Sequence, residues 1–319
     1  MRRLLIALCL LLLSNGLWAV ELRIEPIPFG DMNQWVMRYV KESDILGGKT
    51  KYLYTLGATD TIRVNGAYTA AEGNPWGSSD FYYKTLGLHY ARCGSVYPET
   101  RGHGFCCRLR NELTYRRKSN IYTMTPGTIY MGHALEPLST DARNRPYTTI
   151  DWNIPFTERP IALMLDYKAS IQDTDSMIST LYNRIDTVAG HDCAVICIYF
   201  QYRWEDPETG KIYARRVGTL YEEICHTIPE WINNHMMNIQ WGNITQDPNF
   251  VNEKEGLNQM EMMTRNSKGK MVRIDEVGWS LDIPTHIVMY ISSSNAGLLR
   301  GCEDNTLWVD NLRWVYKDE

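Results

Sequence analysis

The sequence predicts an all-β fold: an antiparallel two-sheet sandwich with long loops and little helix. Three observations predict it. Segments of five to ten residues rich in Tyr, Val, Ile, Thr and Trp recur along the 319 residues, the composition of a pleated, half-buried surface. Turn residues separate them, as in Thr125-Pro126-Gly127 and Asp206-Pro207-Glu208-Thr209-Gly210. The connections are short and run strand to strand, without the crossover helices that a parallel sheet needs.

Taken in order, the opening stands apart. Met1-Arg2-Arg3, the apolar run from Leu4 to Leu13, Ser14-Asn15-Gly16 and the small Ala19 read as a secretory signal peptide over residues 1–19. The run is shorter than the roughly 20 residues that span a bilayer. Cys9 sits inside it, not just after it where a lipid would attach. No later stretch approaches the roughly 18 uninterrupted apolar residues of a membrane helix. The expected location is therefore secreted or periplasmic, with no integral membrane segment.

Residues 20–319 show no internal repeat, charge block or proline-rich linker and read as a single domain. Strands are predicted at 51–56, 61–64, 104–110, 128–133, 148–152, 161–169, 193–204, 212–217, 236–241, 285–293 and 306–316. Met177, Ile178, Leu181 and Ile185 recur at helical spacing, so 173–188 is predicted as a short helix or a long loop over a sheet edge. The stretch 220–234 contains Pro229 and is predicted to hold one broken turn. The polar stretch 246–270 reads as an irregular excursion.

Composition narrows the function classes. A charged fraction of 22% and a hydrophobic fraction of 44% suit a folded core and exclude wholesale disorder. The net charge of −4 gives no electrostatic footprint for nucleic acid or an anionic membrane. Seven cysteines follow the leader, an odd number that leaves at least one thiol unpaired. Cys193 and Cys197 lie on one predicted strand, about 13 Å apart, too far to bridge each other. Zinc binding by His103, Cys106 and Cys107 lacks a second ligand pair at suitable spacing.

The chain carries Trp 10 and Tyr 20 against Phe 6. Rings with a polar handle suit a sugar-stacking surface: the apolar face of a pyranose lies on the ring and its hydroxyls meet donors nearby. Sheets use the same residues in their cores, so loop positions carry more weight. The predicted ligand-binding residues are Trp76 in Gly73-Asn74-Pro75-Trp76-Gly77, Tyr97 and Arg101 in Tyr97-Pro98-Glu99-Thr100-Arg101, and His103 between two glycines. Arg101 would offer planar donors to hydroxyls or to an acidic sugar carboxylate.

Glycoside hydrolysis would need two carboxyls about 5–9.5 Å apart. Glu99, Asp141, Asp151, Asp166, Asp192 and Asp282 stand at predicted strand ends. Asp166 follows the apolar run Ile161 to Leu165, so it is the candidate catalytic acid, predicted to be partly buried with a raised pKa. Its partner would be Asp151 or Asp192 across the sheet. Gly-x-Ser-x-Gly, His-Glu-x-x-His and phosphate-loop signatures are absent.

Several segments also carry a resemblance. Phe29-Gly30-Asp31-Met32-Asn33-Gln34-Trp35 and Leu307-Trp308-Val309-Asp310-Asn311-Leu312 resemble the first and last strands of carbohydrate-binding jelly rolls. Glu158-Arg159-Pro160 leading into Ile161 to Ala169 is similar to the central strand of the putative carbohydrate metabolism domain family of Bacteroidetes. Arg101-Gly102-His103-Gly104 to Leu109, Pro126 to Gly132, and Ser292 to Gly297 are similar to its other landmarks, in the same order. Met32 and Asn33 stand where the first pattern has Phe-Glu, and 246–270 reads as an insertion. The resemblance implies a jelly-roll sandwich and carbohydrate as the partner. It also implies a structural calcium held by Asp31 and Asp310 between the first and last strands. The expected function is that of a secreted glycan-binding, and on one branch glycan-processing, jelly-roll protein. One alternative is a glycoside hydrolase using a carboxylate pair. Another is a non-enzymatic surface or adhesion protein, which would show a broad apolar patch and no cleft. Protein partners are not legible.

Overall fold

The computed structural model describes residues 21–116, 121–138, 145–181, 184–297 and 299–318. The predicted signal peptide and Asp141 lie outside the described residues. The regular structure of the described residues is almost all strand, with one helical turn at Asn252–Glu255 and 3-10 turns at Asp44–Leu46 and Pro146–Thr149.

A 6-stranded sheet runs in the order Ile228–Asn238, Ala162–Ser170, Thr306–Lys317, Gly104–Arg110 and Val96–Arg101, with Leu22–Pro26 also paired antiparallel to Thr306–Lys317. The first and last strands are thus adjacent. A second, 11-stranded sheet centres on Ala194–Glu205, flanked by Ile212–Ile224 and His286–Ser292. Its far strands, His133–Ala134 and Trp76–Ser78, come back beside each other, so the sheet curls almost closed. The antiparallel expectation needs amending at three pairs. Ile212–Ile224 runs parallel to Met271–Trp279, Ile150–Asp151 to Met263–Arg265, and Trp35–Lys41 to Asp60–Ile62.

The curl explains the unbroken apolar run from Cys193 to Phe200. The first eight residues of Ala194–Glu205 are buried on both faces, which removes the usual alternation. Ile196, Ile198 and Phe200 pack with Leu163, Leu165 and Val309 of the smaller sheet in the main core. Val195, Cys197 and Tyr199 face a second core with Trp152, Ile274 and Val288. Each such aliphatic or Phe side chain contributes roughly 1.5–3 kcal/mol by burial.

The second core holds an ion pair. Arg216 Nε and Nη2 each donate to Glu276 at 2.6 Å with both side chains 0% exposed. The excursion at 246–270 clamps it. The Asn258 N–H donates to Glu276 Oε2 at 2.9 Å, the Glu276 N–H returns to Asn258 Oδ1 at 2.9 Å, and Met262 fills the core beneath.

Other expectations are corrected. The 173–188 region is a hairpin, Ser176–Ser179 with Asp186–Ala189; its apolar stripe buries no common face, and Ile185 is exposed. The 220–234 region continues one strand and begins another. Pro229 is tolerated because Ile228–Asn238 lies at the sheet edge, where a missing donor costs least. A disulfide joins Cys193 to Cys225, the positions flanking the Ala194 and Ile224 register pair. Cys93, Cys106, Cys107, Cys197 and Cys302 are free.

Candidate functional site

The outer face of the 6-stranded sheet follows from strand alternation. Leu109, Tyr167, Ala169, Leu307 and Val309 point into the main core, so Arg108, Lys168 and Trp308 point out. Register then sets them in line: Lys168 opposite Trp308, Trp308 opposite Arg108, Arg108 opposite Tyr97. Trp231, on the neighbouring edge strand, lies on the other side of Lys168. The resulting row crosses five adjacent strands as aromatic, cation, aromatic, cation, aromatic. Lys168 Nζ lies 4.5 Å from the Trp308 ring and 5.6 Å from the Trp231 ring, and the Arg108 guanidinium lies 5.0 Å from Tyr97. With strands about 4.8 Å apart, rings on alternate strands stand roughly 10 Å from one another. Glu99, two residues beyond Tyr97 on the same face, fixes the row, accepting from Trp308 Nε1 at 2.9 Å and from Arg108 at 3.4 Å.

One step along the strands, Asp166 stands opposite Asp310. The pairing slips beside Asp166 on both neighbouring strands. Asn234 and Asn311, with φ of 55° and 54°, stand there in the left-handed region that Asn tolerates better than most residues. The Asn234 N–H donates to Asp166 at 2.7 Å and the Asn311 amide at 2.8 Å. Bulges on two strands therefore aim donors at one carboxylate.

Arg101 covers the pair. It closes a hairpin through the two-residue turn Gly102-His103, in which Gly102 supplies a φ of 58° at the first turn position. Its Nη1 donates to Asp166 at 2.9 Å and to Asp310 at 2.6 Å, and its Nη2 to Asn233 at 2.6 Å. The guanidinium lies 3.8 Å from the Trp231 ring centroid. Two carboxylate oxygens sharing one nitrogen stand no farther apart than the about 5.5 Å of a retaining glycosidase pair.

The predicted raised pKa of Asp166 is reversed. Burial pushes it up, but the Asn234 N–H, the Asn311 amide and Arg101 outweigh burial and hold it below the usual range. Asp310 is pushed up by burial, which Arg101 and the Asn311 N–H only partly offset. Neither expected partner of Asp166 stands beside it. Asp151 is bound by Thr264 and Arg265. Asp192 is buried among Asn111, Ser294 and Asn305.

Of the predicted ligand-binding residues, Tyr97 and Arg101 meet on this face, and His103 is exposed at the hairpin tip beside it. Trp76 does not join them. It is 1% exposed in the main core with its indole N–H donating to the Pro28 carbonyl at 2.7 Å, because Trp76–Ser78 pairs with Thr128–Met131 instead of standing in a loop. The calcium expectation does not fit the donors around Asp310. Its two oxygens accept from Arg101 and from the Asn311 N–H at 2.8 Å, while Asp31 binds Asn33. Sequence reading missed Trp231, Lys168, Trp308, Asn234 and Asn311. The signal was Asn inside strands, at 233–234 and 311, where β-propensity opposes it.

No family model and no curated protein matches the chain. Solved structures do. One from Bacteroides thetaiotaomicron, described as a "putative glycoside hydrolase", is 12% identical and covers 85% of this chain and 82% of its own, with a TM-score of 0.43. Another from Bacteroides vulgatus, described in the same words, is 13% identical and covers 91% and 94%, with a TM-score of 0.44.

Proposed function

We propose that this is a secreted glycan-binding protein that lays an extended oligosaccharide across the outer face of its 6-stranded sheet. The observation that carries the reading is the row Trp231, Lys168, Trp308, Arg108, Tyr97. Rings offer apolar stacking surface to sugar faces, and the cations between them offer donors to hydroxyls and charge to acidic-sugar carboxylates. Every ring in the row is at least partly exposed, and cross-strand register and Glu99 hold the face in place, so binding would order few side chains. The charge-rich face favours a glycan over the broad apolar patch of an adhesive protein. The sequence resemblance to a carbohydrate metabolism family points the same way. Export is supported by the pattern of residues 1–19 and by the Cys193–Cys225 disulfide, since such bonds persist in oxidising compartments.

A second reading, glycoside hydrolysis, is favoured by one observation: Asp166 and Asp310 are close and pushed in opposite directions, the arrangement that separates nucleophile from acid. Against it, Arg101 bonds both carboxylates at once, and each residue is at most 6% exposed. Screening the purified protein on a glycan array, then incubating each hit and looking for shortened products, separates the readings. Binding without turnover supports the first. Turnover abolished by Asp166→Asn supports the second, and no binding to any glycan refutes both.

A further inference from the structure

Away from this face, a cavity of about 390 Å³ opens between the Trp35–Lys41 and Thr50–Leu56 strands and the segment 130–136, with Arg38, Tyr68, Ser78, Tyr130, His133 and Glu136 in its wall. Its size falls in the range of small-molecule sites. Its polar groups are unevenly satisfied. Glu136 takes both Arg38 Nη atoms, at 2.5 and 3.1 Å, and the N–H groups of Tyr68 and Tyr82 at 3.1 and 2.9 Å. The Arg38 guanidinium stacks on Tyr68 at 4.9 Å. Yet among the described residues Arg38 Nε and the Tyr130 hydroxyl have no hydrogen-bond partner, in residues only 4% and 2% exposed. Buried donors are nearly always paired, so two unpaired donors in residues that line one cavity suit a ligand that supplies an acceptor.

The surroundings define that acceptor. Gly77 lets the Tyr130 ring lie against its backbone: a Cβ there would stand 2.5 Å from the ring edge. Burial holds the phenol protonated, with the nearby Glu136 adding to the effect, so the hydroxyl can donate. Burial also lowers the His133 pKa, which favours a neutral ring with one nitrogen to donate and one to accept a hydrogen bond. The guanidiniums of Arg38 and Arg265 face the carboxyls of Asp80, Glu136 and Asp151 in the lining, so positive charge is not in excess and an anion gains nothing. Tyr68, Trp76 and Phe81 supply apolar wall. The geometry points to a second binding site, distinct from the sheet face, for one neutral polyhydroxylated unit: a single sugar residue whose ring or hydroxyl oxygen accepts from Arg38 Nε and Tyr130 Oη.

Saturation-transfer NMR with glucose, galactose, mannose and N-acetylglucosamine at millimolar concentration tests this on the purified protein. At least one sugar is expected to bind the wild type. Tyr130→Phe should weaken it about tenfold, the worth of one hydrogen bond, without lowering the thermal midpoint, because that hydroxyl has no partner in the free protein. His133→Phe, which puts a bulkier apolar ring in the lining, should abolish it, and in a Trp231→Ala, Trp308→Ala double variant, which removes stacking on the sheet face, the Tyr130-dependent signal should persist. The assignment is overturned if none of the four sugars binds, if Tyr130→Phe binds as well as the wild type, or if the double variant loses the signal.

Discussion

Replacing Arg101 by alanine leaves two buried carboxylates facing each other across one register position. In the wild type Arg101, its side chain 20% exposed, bonds both carboxylates, whose side chains are 6% and 8% exposed, while Arg313 stands 3.8 Å from Asp166 alone. Asp166 keeps the donors from Asn234 and Asn311 after the change, and Asp310 keeps the Asn311 N–H. What is lost is two charge-assisted bonds to the carboxylates, at about 1.5–3 kcal/mol each, and the bond from Arg101 to Asn233 at 2.6 Å. Removing one partner of a buried pair costs about 3–5 kcal/mol. Because the survivors retain donors, the expected loss lies at or a little below the bottom of that range, about 2–4 kcal/mol at pH 7.5. The loss should shrink on acidification. Without Arg101 two like charges share a site, which raises the pKa of one of them, and a group raised in the folded state stabilises the fold as pH falls below that value. Urea denaturation of wild type and Arg101→Ala at pH 7.5 and pH 4.5 checks both parts. A loss below about 0.5 kcal/mol, or one equal at the two pH values, would refute the reasoning.

Other consequences can be measured alongside. Asp80 is 2% exposed, and burial raises its pKa to about 7 against the donors from Tyr54 and Ser95. The wild type should therefore gain stability as pH falls below about 7 and lose it as pH rises through that value. Asp80→Asn should stabilise at pH 8 by on the order of 2–4 kcal/mol and change little at pH 4, and a variant that is no more stable at pH 8 would contradict this. Glu276→Gln strands the fully buried Arg216 charge and should cost about 3–5 kcal/mol in urea, whereas Arg216→Met with Glu276→Leu should recover most of it. A double variant as unstable as the single one would mean that the pair is not the source of the loss.

Much of the architecture was legible because strand signals are local. The strand Ala194–Glu205 and the turn at 206–210 were readable from β-branched, aromatic and turn residues alone. The hairpin at 176–189 was not, since apolar residues a few positions apart suit either period when few of them become buried. Trp76 misled for a related reason. Pro and Gly on either side describe the local chain, while the strand that pairs with Trp76–Ser78 lies more than fifty positions away at Thr128–Met131. Arg101 and Asp166 were found separately, as a loop donor and a strand acid. Their meeting depends on the order of strands in the sheet, a non-local property that no spacing in the sequence encodes. The alternating row is likewise invisible in one dimension, because its members come from five strands and are aligned only by register.

The most direct test of the glycan-binding face is isothermal titration of an array-positive oligosaccharide into the wild type and the Trp231→Ala, Trp308→Ala double variant. Two stacking rings worth about 1 kcal/mol each predict roughly a 30-fold weaker affinity in the variant, with its urea midpoint close to that of the wild type because both rings are only half-buried. Equal affinity in the two proteins would contradict the assignment of this face.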